Sequence, residues 1–473
     1  MNKSSLLRNL PSVDKVLSTV RDRDYALPET FVVSQIRETI DSFRQQILTG
    51  SPPEIDDPEA MEELVVNEVD RRCRDRIGRM VQPLINATGI VLHTGLGRAP
   101  LSDLSRDAMT RAAYGYTNLE FDLPSGTRGE RNDHIEDLLR ALTGAESALM
   151  VNNNAAAVFL ALNTLAAGSD AIISRGQLIE IGGSFRIPEV MAKSGARMVE
   201  VGTTNRTHLR DYQEAVTDQT RLILIAHPSN YRVQGFTATP ELPEIVELAH
   251  TQEIPVLYDL GSGALFPLEE YGLPHEPIVE QVIETGVDVV TFSGDKLIGG
   301  PQAGLICGKK QYLDAMKVNP LTRVLRCDKT TFAAMEATLG AYINPGTLPT
   351  RNLTYQLLTR SMEELDQIGE GILGELSSEE IDLLGLELRE ASTEAGSGSL
   401  PTERIPSMAL VLTRTDRWSA DRIMRWLRTR ETMPIVGYIV EDECYLNLRT
   451  ILPDQKEAVV RALRELAEAI GVE

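Results

Sequence analysis

A mostly parallel β-sheet covered on both faces by helices is the fold this sequence predicts, on three observations. From about residue 84, short and nearly continuous apolar runs recur at 148–151, 171–173, 197–201, 222–225, 256–258 and 289–292. Helical stretches separate them. The runs do not alternate apolar with polar residues, which marks strands buried on both faces. In such sheets ligands sit beyond the carboxyl ends of the strands. The polar residues there are therefore the ones to read: 152–154, 174–175, His227 through Asn230, Asp259, and Ser293 through Lys296.

The remaining elements follow in chain order. Residues 1–60 read as a small helical domain. Ser12 can cap a helix through Val16 and Leu17, and Thr30 one through Ile36, Ile40 and Phe43. The stretch 49–58, with three prolines and three acids, reads as a linker. Residues 61–83 resume a charged helical pattern, a linker helix leading into a large α/β domain over 84–345. Residues 346–473 read as a smaller α+β domain. It has strands at 409–412 and 444–448, helices near 418–428 and 455–470, and a flexible loop at 396–401.

The 473 residues exceed what one typical core organises, so several domains are expected. A net charge of −22 argues against non-specific nucleic-acid binding, which needs clustered Lys and Arg. The charge is uneven, however. Residues 1–50 hold seven basic and six acidic side chains, a balance of +1 that leaves −23 for the rest. The Met1 end has no secretory pattern, and no run approaches the roughly 18 apolar residues of a membrane span. Cys73, Cys307, Cys327 and Cys444 are scattered, without a Cys-x-x-Cys pair. They read as reduced thiols of a cytoplasmic protein, and no spacing suggests a metal.

The richest segment runs from Asp288 to Gly304, where an apolar run ends in Ser293-Gly294-Asp295-Lys296 and a glycine-rich turn follows. That arrangement suits a lysine that ties an aldehyde cofactor as a Schiff base, once desolvation or neighbouring charge lowers its pKa. Asp259 closes another run 37 residues earlier. It is either a turn aspartate or the acid that keeps a cofactor ring nitrogen protonated. Asn153 and Asn154 open a helix whose free amides suit a phosphate, or they simply cap it. Ser293 can add a hydroxyl to that phosphate. His227 is placed either to contact a ring or to cap a turn. Arg98, in a glycine-bearing loop, and Arg323 and Arg326, which would share a face if helical, suit an oxyanion pocket or plain surface ion pairs.

Taken together, these segments resemble the bacterial selenocysteine synthases, the L-seryl-tRNA(Sec) selenium transferases. The resemblance runs from Leu10-Pro11-Ser12-Val13-Asp14-Lys15 through Ile85-Asn86-Ala87-Thr88-Gly89 and His93-Thr94-Gly95-Leu96-Gly97-Arg98. It continues through Tyr116-Thr117-Asn118-Leu119-Glu120, Gly126-Thr127-Arg128-Gly129, 151–156, Glu180-Ile181-Gly182-Gly183, 258–263 and 293–296 to Leu446-Asn447-Leu448-Arg449-Thr450. It implies a fold type I, aspartate-aminotransferase-like enzyme that uses pyridoxal 5′-phosphate. The implied reaction converts seryl-tRNA(Sec) to selenocysteinyl-tRNA(Sec) by loss of water, a dehydroalanyl-tRNA intermediate, and addition of selenium from selenophosphate. On this chain it makes Lys296 the Schiff-base lysine and Asp295 the neighbouring acid of the active centre. Arg98, Arg323 and Arg326 become the selenophosphate ligands, and residues 1–60 the tRNA grip. It also implies a homo-oligomer, a ring of dimers that is a homodecamer in the family. The alternative is a lyase of the same fold acting on a free amino or sugar acid, with no need of a tRNA domain.

Overall fold

The computed structural model describes residues 3–23, 25–49, 57–77, 81–181, 185–228, 231, 233–396, 404–413 and 417–472. Most of the expected linker at 49–58, the loop at 397–401, Ser229, Asn230, Gly182 and Gly183 lie outside these residues. The chain divides into two compact units: Met1–Leu84 with Thr429–Pro434, and Ile85–Arg428 with Ile435–Glu473.

The first unit is helical: α1 (Lys3–Asn9), α2 (Val13–Val20), α3 (Glu29–Thr49) and α4 (Pro58–Ile77). Ser12 caps α2 by accepting the Lys15 amide at 3.3 Å. Thr30 is not the cap of α3. The Pro28 carbonyl already accepts the Phe31 and Val32 amides, so Thr30 falls inside the first turn. The larger correction concerns α4, expected as a linker helix. Its Val65, Val66, Val69 and Cys73 are buried in one cluster with Val16, Val20, Tyr25, Val32, Ile36 and Ile40. The charged residues that dominate its sequence occupy the other face, and the apolar stripe at helical spacing makes it a member of the bundle. The Tyr25 hydroxyl donates to Asp70 at 2.8 Å, and Arg23 pairs with the same carboxylate at 2.8 Å, tying the segment before α3 to α4.

The second unit is built on a seven-stranded sheet. Its strands are β1 (Ser147–Val151), β2 (Asp170–Ser174), β3 (Arg197–Val201), β4 (Thr220–Ala226), β5 (Val256–Gly261), β6 (Val289–Ser293) and β7 (Gly304–Gly308), in the order β1-β7-β6-β5-β4-β2-β3. Every pairing is parallel except those of β7, which lies antiparallel between β1 and β6. The apolar runs anticipate six of these strands. The seventh, Gly-Leu-Ile-Cys-Gly, is so short and glycine-bounded that it reads as part of the turn. Strands β1, β5, β6 and β7 are buried at every position, as the uninterrupted runs require. Residue 304 has to be glycine, because a Cβ there would stand 2.1 Å from the Asn153 carbonyl oxygen. Its absence lets β7 come up against the turn after β1.

Residues 346–473 form their own antiparallel sheet, from Leu386–Thr393, Ile405–Leu412, Glu443–Asn447 and Tyr438–Val440 in that spatial order, flanked by helices including Ala420–Thr429 and Lys456–Val472. All of them but Thr429–Pro434 nevertheless belong to the same compact unit as the large sheet. Two buried guanidiniums fasten parts of this region to each other. Arg449 donates to the carbonyls of Leu357, Leu358 and Arg360 at 3.2, 3.0 and 2.8 Å. Arg360 in turn donates to those of Leu448, Arg449 and Ile451 at 3.1, 3.0 and 2.8 Å. The Leu446–Thr450 motif is therefore structural in this chain. All four cysteines are free and buried. Among the described residues no helix is long and apolar enough to cross a membrane.

Candidate active site

The carboxyl ends of β4, β5 and β6 lie side by side, and the residues read there from sequence converge. Lys296 lies three residues beyond β6, in the turn to β7, and is only 6 % exposed. Burial pushes its amine below the ordinary lysine value, against the pull of Asp259, Asp295 and Glu276, while Arg98 pushes the same way as burial. Such a lysine reaches its neutral, nucleophilic form more readily than one in water.

Asp259 is buried within β5, opposite Thr291 of β6. A register shift follows between Asp259 and Gly261, a bulge at the point where the strand ends. Asn154 Nδ2 donates to Asp259 Oδ1 at 2.8 Å, and Thr291 Oγ1 donates to the same oxygen at 3.3 Å. Burial raises the acid's pKa, opposed by the Asn154 bond, by Lys296, and by bonds from Thr291 and the Gly261 amide. All its direct donors are neutral, so its charge is answered at contact distance by no cation among the described hydrogen bonds.

The two asparagines divide their work. Asn153 caps the helix Asn154–Ala166, its Oδ1 accepting the Ala156 amide at 2.8 Å. The structure thus gives its side chain the capping role. Asn154 instead orients Asp259, and its own Oδ1 is buried without a hydrogen-bond partner. Ser293 ends β6, paired with Gly304 and buried. The fully buried Ser262 hydroxyl also lacks a partner, and its backbone carbonyl accepts the Lys296-adjacent Leu297 amide at 3.3 Å. A Cβ on the next residue, Gly263, would stand 2.9 Å from the Ser293 carbonyl oxygen. Ser262, Ser293 and the amides opening the Asn154 helix supply neutral donors of the kind a phosphate takes.

His227 follows β4. Its amide donates to the Asp259 carbonyl at 2.9 Å, and its Nδ1 lies 3.3 Å from the Tyr258 hydroxyl. Burial, then His275 and Lys296, pull the imidazole down to about 4, so it is neutral at pH 7. Its Nε2 stands 3.8 Å from the buried Glu276. Sequence reading passed over Glu276, which sits in Leu273-Pro274-His275-Glu276 with no strand or glycine turn to advertise it.

The three arginines do not meet in one pocket within the chain. Arg98 Nη1 donates to Asp295 Oδ2 at 2.9 Å, joining the glycine-bearing loop to the lysine turn. Arg323 and Arg326 line a separate cavity of about 490 Å³, with Arg128, Arg131, Lys317 and Glu120 among its other walls. They are not on one helical face, because the helix Pro320–Val324 ends before Arg326. That cavity lies close to the turn after β1, since the Leu325 carbonyl accepts the Asn152 amide at 2.9 Å. Arg128, Arg131 and Glu120 were unassigned from sequence, although Glu120 and Arg128 stand inside recognisable motifs. Among the described residues no group of three or more His, Cys, Asp or Glu is placed to hold a metal ion.

Fold and site together first define a class. This is an α/β enzyme of fold type I, with a buried lysine at the carboxyl edge of the sheet and a carboxylate on the adjoining strand. The fold is shared with D-glucosaminate-6-phosphate ammonia-lyase, with a TM-score of 0.58 at 19 % identity over 84 % of this chain and 98 % of that one. Comparison of sequences then narrows the class. The model of the family "L-seryl-tRNA selenium transferase" matches residues 84–452, and that of "selenocysteine synthase N terminal" matches 7–44. The L-seryl-tRNA(Sec) selenium transferase of Moorella thermoacetica is 47 % identical over 99 % of this chain and 98 % of its own length. That of Geobacter sulfurreducens is 43 % identical over 98 % of this chain and 100 % of its own. The chain belongs to the L-seryl-tRNA(Sec) selenium transferase family.

Proposed function

We propose that this protein converts L-seryl-tRNA(Sec) to L-selenocysteinyl-tRNA(Sec), with pyridoxal 5′-phosphate carried on Lys296 and selenophosphate as the selenium donor. The carrying observation is the pairing of a buried, pKa-lowered Lys296 with an Asp259 whose contacts are all neutral, in a chain of this family. The residues present fit the cofactor. Lys296 offers the amine, and Asp259 offers a buried negative charge for a protonated ring nitrogen. The unpartnered Ser262 hydroxyl, Ser293 and the first amides of the Asn154 helix offer donors for the phosphate.

When bound, the cofactor supplies a sink for the electron pair left at the seryl Cα. The protein supplies the rest. Lys296 Nζ takes the Cα proton and gives a proton to the departing β-hydroxyl. Asp295 is engaged as an acceptor by Arg98, so Lys296 is the group positioned to donate. Asp259 keeps the ring nitrogen charged, and Asn154 and Thr291 hold Asp259. Arg323 and Arg326 bind the oxyanion of selenophosphate. The N-terminal helices bind the tRNA, in a cytoplasmic homo-oligomer built as a ring of dimers.

The test is incubation of the cofactor-loaded enzyme with seryl-tRNA(Sec) and labelled selenophosphate, followed by analysis of the aminoacyl product. Label should appear as selenocysteine with the wild type and vanish with Lys296→Ala. Transfer by that variant, or release of a 2-keto acid from free amino or sugar acids without tRNA, would overturn the reading. Binding by the N-terminal unit is tested by removing residues 1–84, because a cut at residue 60 would tear α4 from its bundle. tRNA affinity should fall while cofactor binding persists.

A further inference from the structure

Glu120 sits where three guanidiniums meet. Its Oε2 accepts Arg128 Nη2 at 2.8 Å, its Oε1 accepts Arg131 Nε, and the same Oε1 stands 3.7 Å from Arg326 Nη1. Arg131 is fixed independently, its Nη1 donating to the Cys327 carbonyl at 2.8 Å. Arg323, on the same wall, has no carboxylate partner among the described residues. In this cavity of about 490 Å³, whose walls also carry Glu130, Asp133 and a Glu136 paired with Lys317, Glu120 is the acid that contacts the guanidiniums. Those bonds, that from Arg131 first, hold the Glu120 carboxyl below its usual range, so it is ionised at neutral pH.

The geometry points to Glu120 as an affinity-tuning counter-charge: it partly neutralises a guanidinium cluster formed by Arg128, Arg131 and Arg326, so that this cavity holds a doubly charged tetrahedral oxyanion loosely enough to release it. The inference deepens the reading that the cavity takes selenophosphate, and rests on it for the identity of the physiological ligand. The physical reason is that repulsion and attraction both scale with ligand charge. Arg131 does not need Glu120 to stay in place, given its bond to the Cys327 carbonyl. Glu120 therefore acts mainly through its charge. With the acid present the positive field is smaller, which weakens a dianion about twice as much in free energy as a monoanion.

The test is calorimetric titration of the full-length, cofactor-loaded protein with inorganic phosphate and, separately, nitrate, at low ionic strength and slightly alkaline pH. Glu120→Gln keeps an acceptor oxygen and removes the charge. It should tighten phosphate about tenfold and nitrate about threefold, since the Coulomb gain doubles with ligand charge. Unchanged or weaker phosphate binding overturns the proposal, as does an equal change for both anions. Arg128→Met alters an exposed side chain and gives the same test from the other sign, with phosphate about threefold weaker and nitrate less affected. Phosphate binding requires neither tRNA nor selenium. Failure of selenium transfer with these effects intact would therefore fault the proposed function alone.

Discussion

The large sheet carries an aspartate, a histidine and a lysine at each of its two ends, and the two sets do different things. At the amino ends of β5 and β6, Asp288 is 2 % exposed and its oxygens meet charged or donor groups directly. Lys309 Nζ approaches Oδ1 at 2.6 Å. The Val256 amide donates to Oδ2 at 2.8 Å, and His250 Nε2 lies 3.0 Å from it. At the carboxyl ends, Asp259 and Lys296 are buried and His227 is partly so, yet the hydrogen bonds to the Asp259 carboxylate come from neutral donors. The first aspartate's charge is cancelled in place and fastens strand ends together. The second meets Lys296 only through space, and is the charge the proposed cofactor would face. Composition cannot separate the two sets. What separates them is whether contact-distance cations already satisfy the acid.

The strongest attempt to break this contrast is Asp259→Asn. If the uncancelled charge is what the reaction uses, kcat should fall by about 10³-fold, within the range of a lost proton-holding group. Circular dichroism and thermal unfolding should remain close to wild type, because asparagine can still accept from Asn154 and Thr291. A fall in Tm with activity per folded molecule preserved would reverse the two roles.

Asp288→Asn is the mirror experiment, with a smaller effect of another kind. Removing the charge of this buried carboxylate costs about 3 kcal/mol, because its bonds to the half-exposed Lys309 and His250 both lose their charge assistance. Denaturant titration should show that loss, while cofactor binding at the opposite end is retained. A variant of unchanged stability would show that Asp288 is not the clamp its contacts describe.

How much of this was legible in sequence follows the same physics. Near-continuous apolar runs marked six strands because a doubly covered sheet leaves little polar face, the edge strand β3 with exposed Arg197 and Glu200 being the exception. Lys296 and Asp259 were legible because they stand at the ends of such runs. The antiparallel β7 was not, since its five residues look like more of the glycine turn. Helix α4 was misread because its charges outnumber its apolar stripe, and only the bundle shows which face is buried. Asn153 and Asn154 are adjacent and alike, and nothing but rotation about the helix start assigns one to capping and the other to Asp259. Glu276 and the Glu120 cluster depend on contacts between segments far apart in the chain, which local pattern does not encode.

The smallest effect is the pH dependence contributed by His227. The groups facing it are the Tyr258 hydroxyl at Nδ1, Glu276 at Nε2, and Asp259, Lys296 and His275 nearby. Burial holds its folded-state pKa at about 4, below the roughly 6.5 of an unfolded histidine. The unfolded chain therefore binds more protons between those values, and stability rises with pH across that window. The neutral ring's contribution is complete above about 6.5 and is lost as pH falls toward 4, amounting to about 2 kcal/mol between pH 7 and pH 5. His227→Gln should remove that share of the slope in urea titrations at pH 5, 6 and 7, leaving the parts due to other groups. A slope unchanged by the substitution would mean that His227 takes up its proton in the folded protein over the same pH range as in the unfolded chain. Its contacts with Tyr258 and Glu276 would then have to be those of an imidazolium below about pH 6.5, and the carboxyl end of the sheet would hold a second cancelled charge, at Glu276.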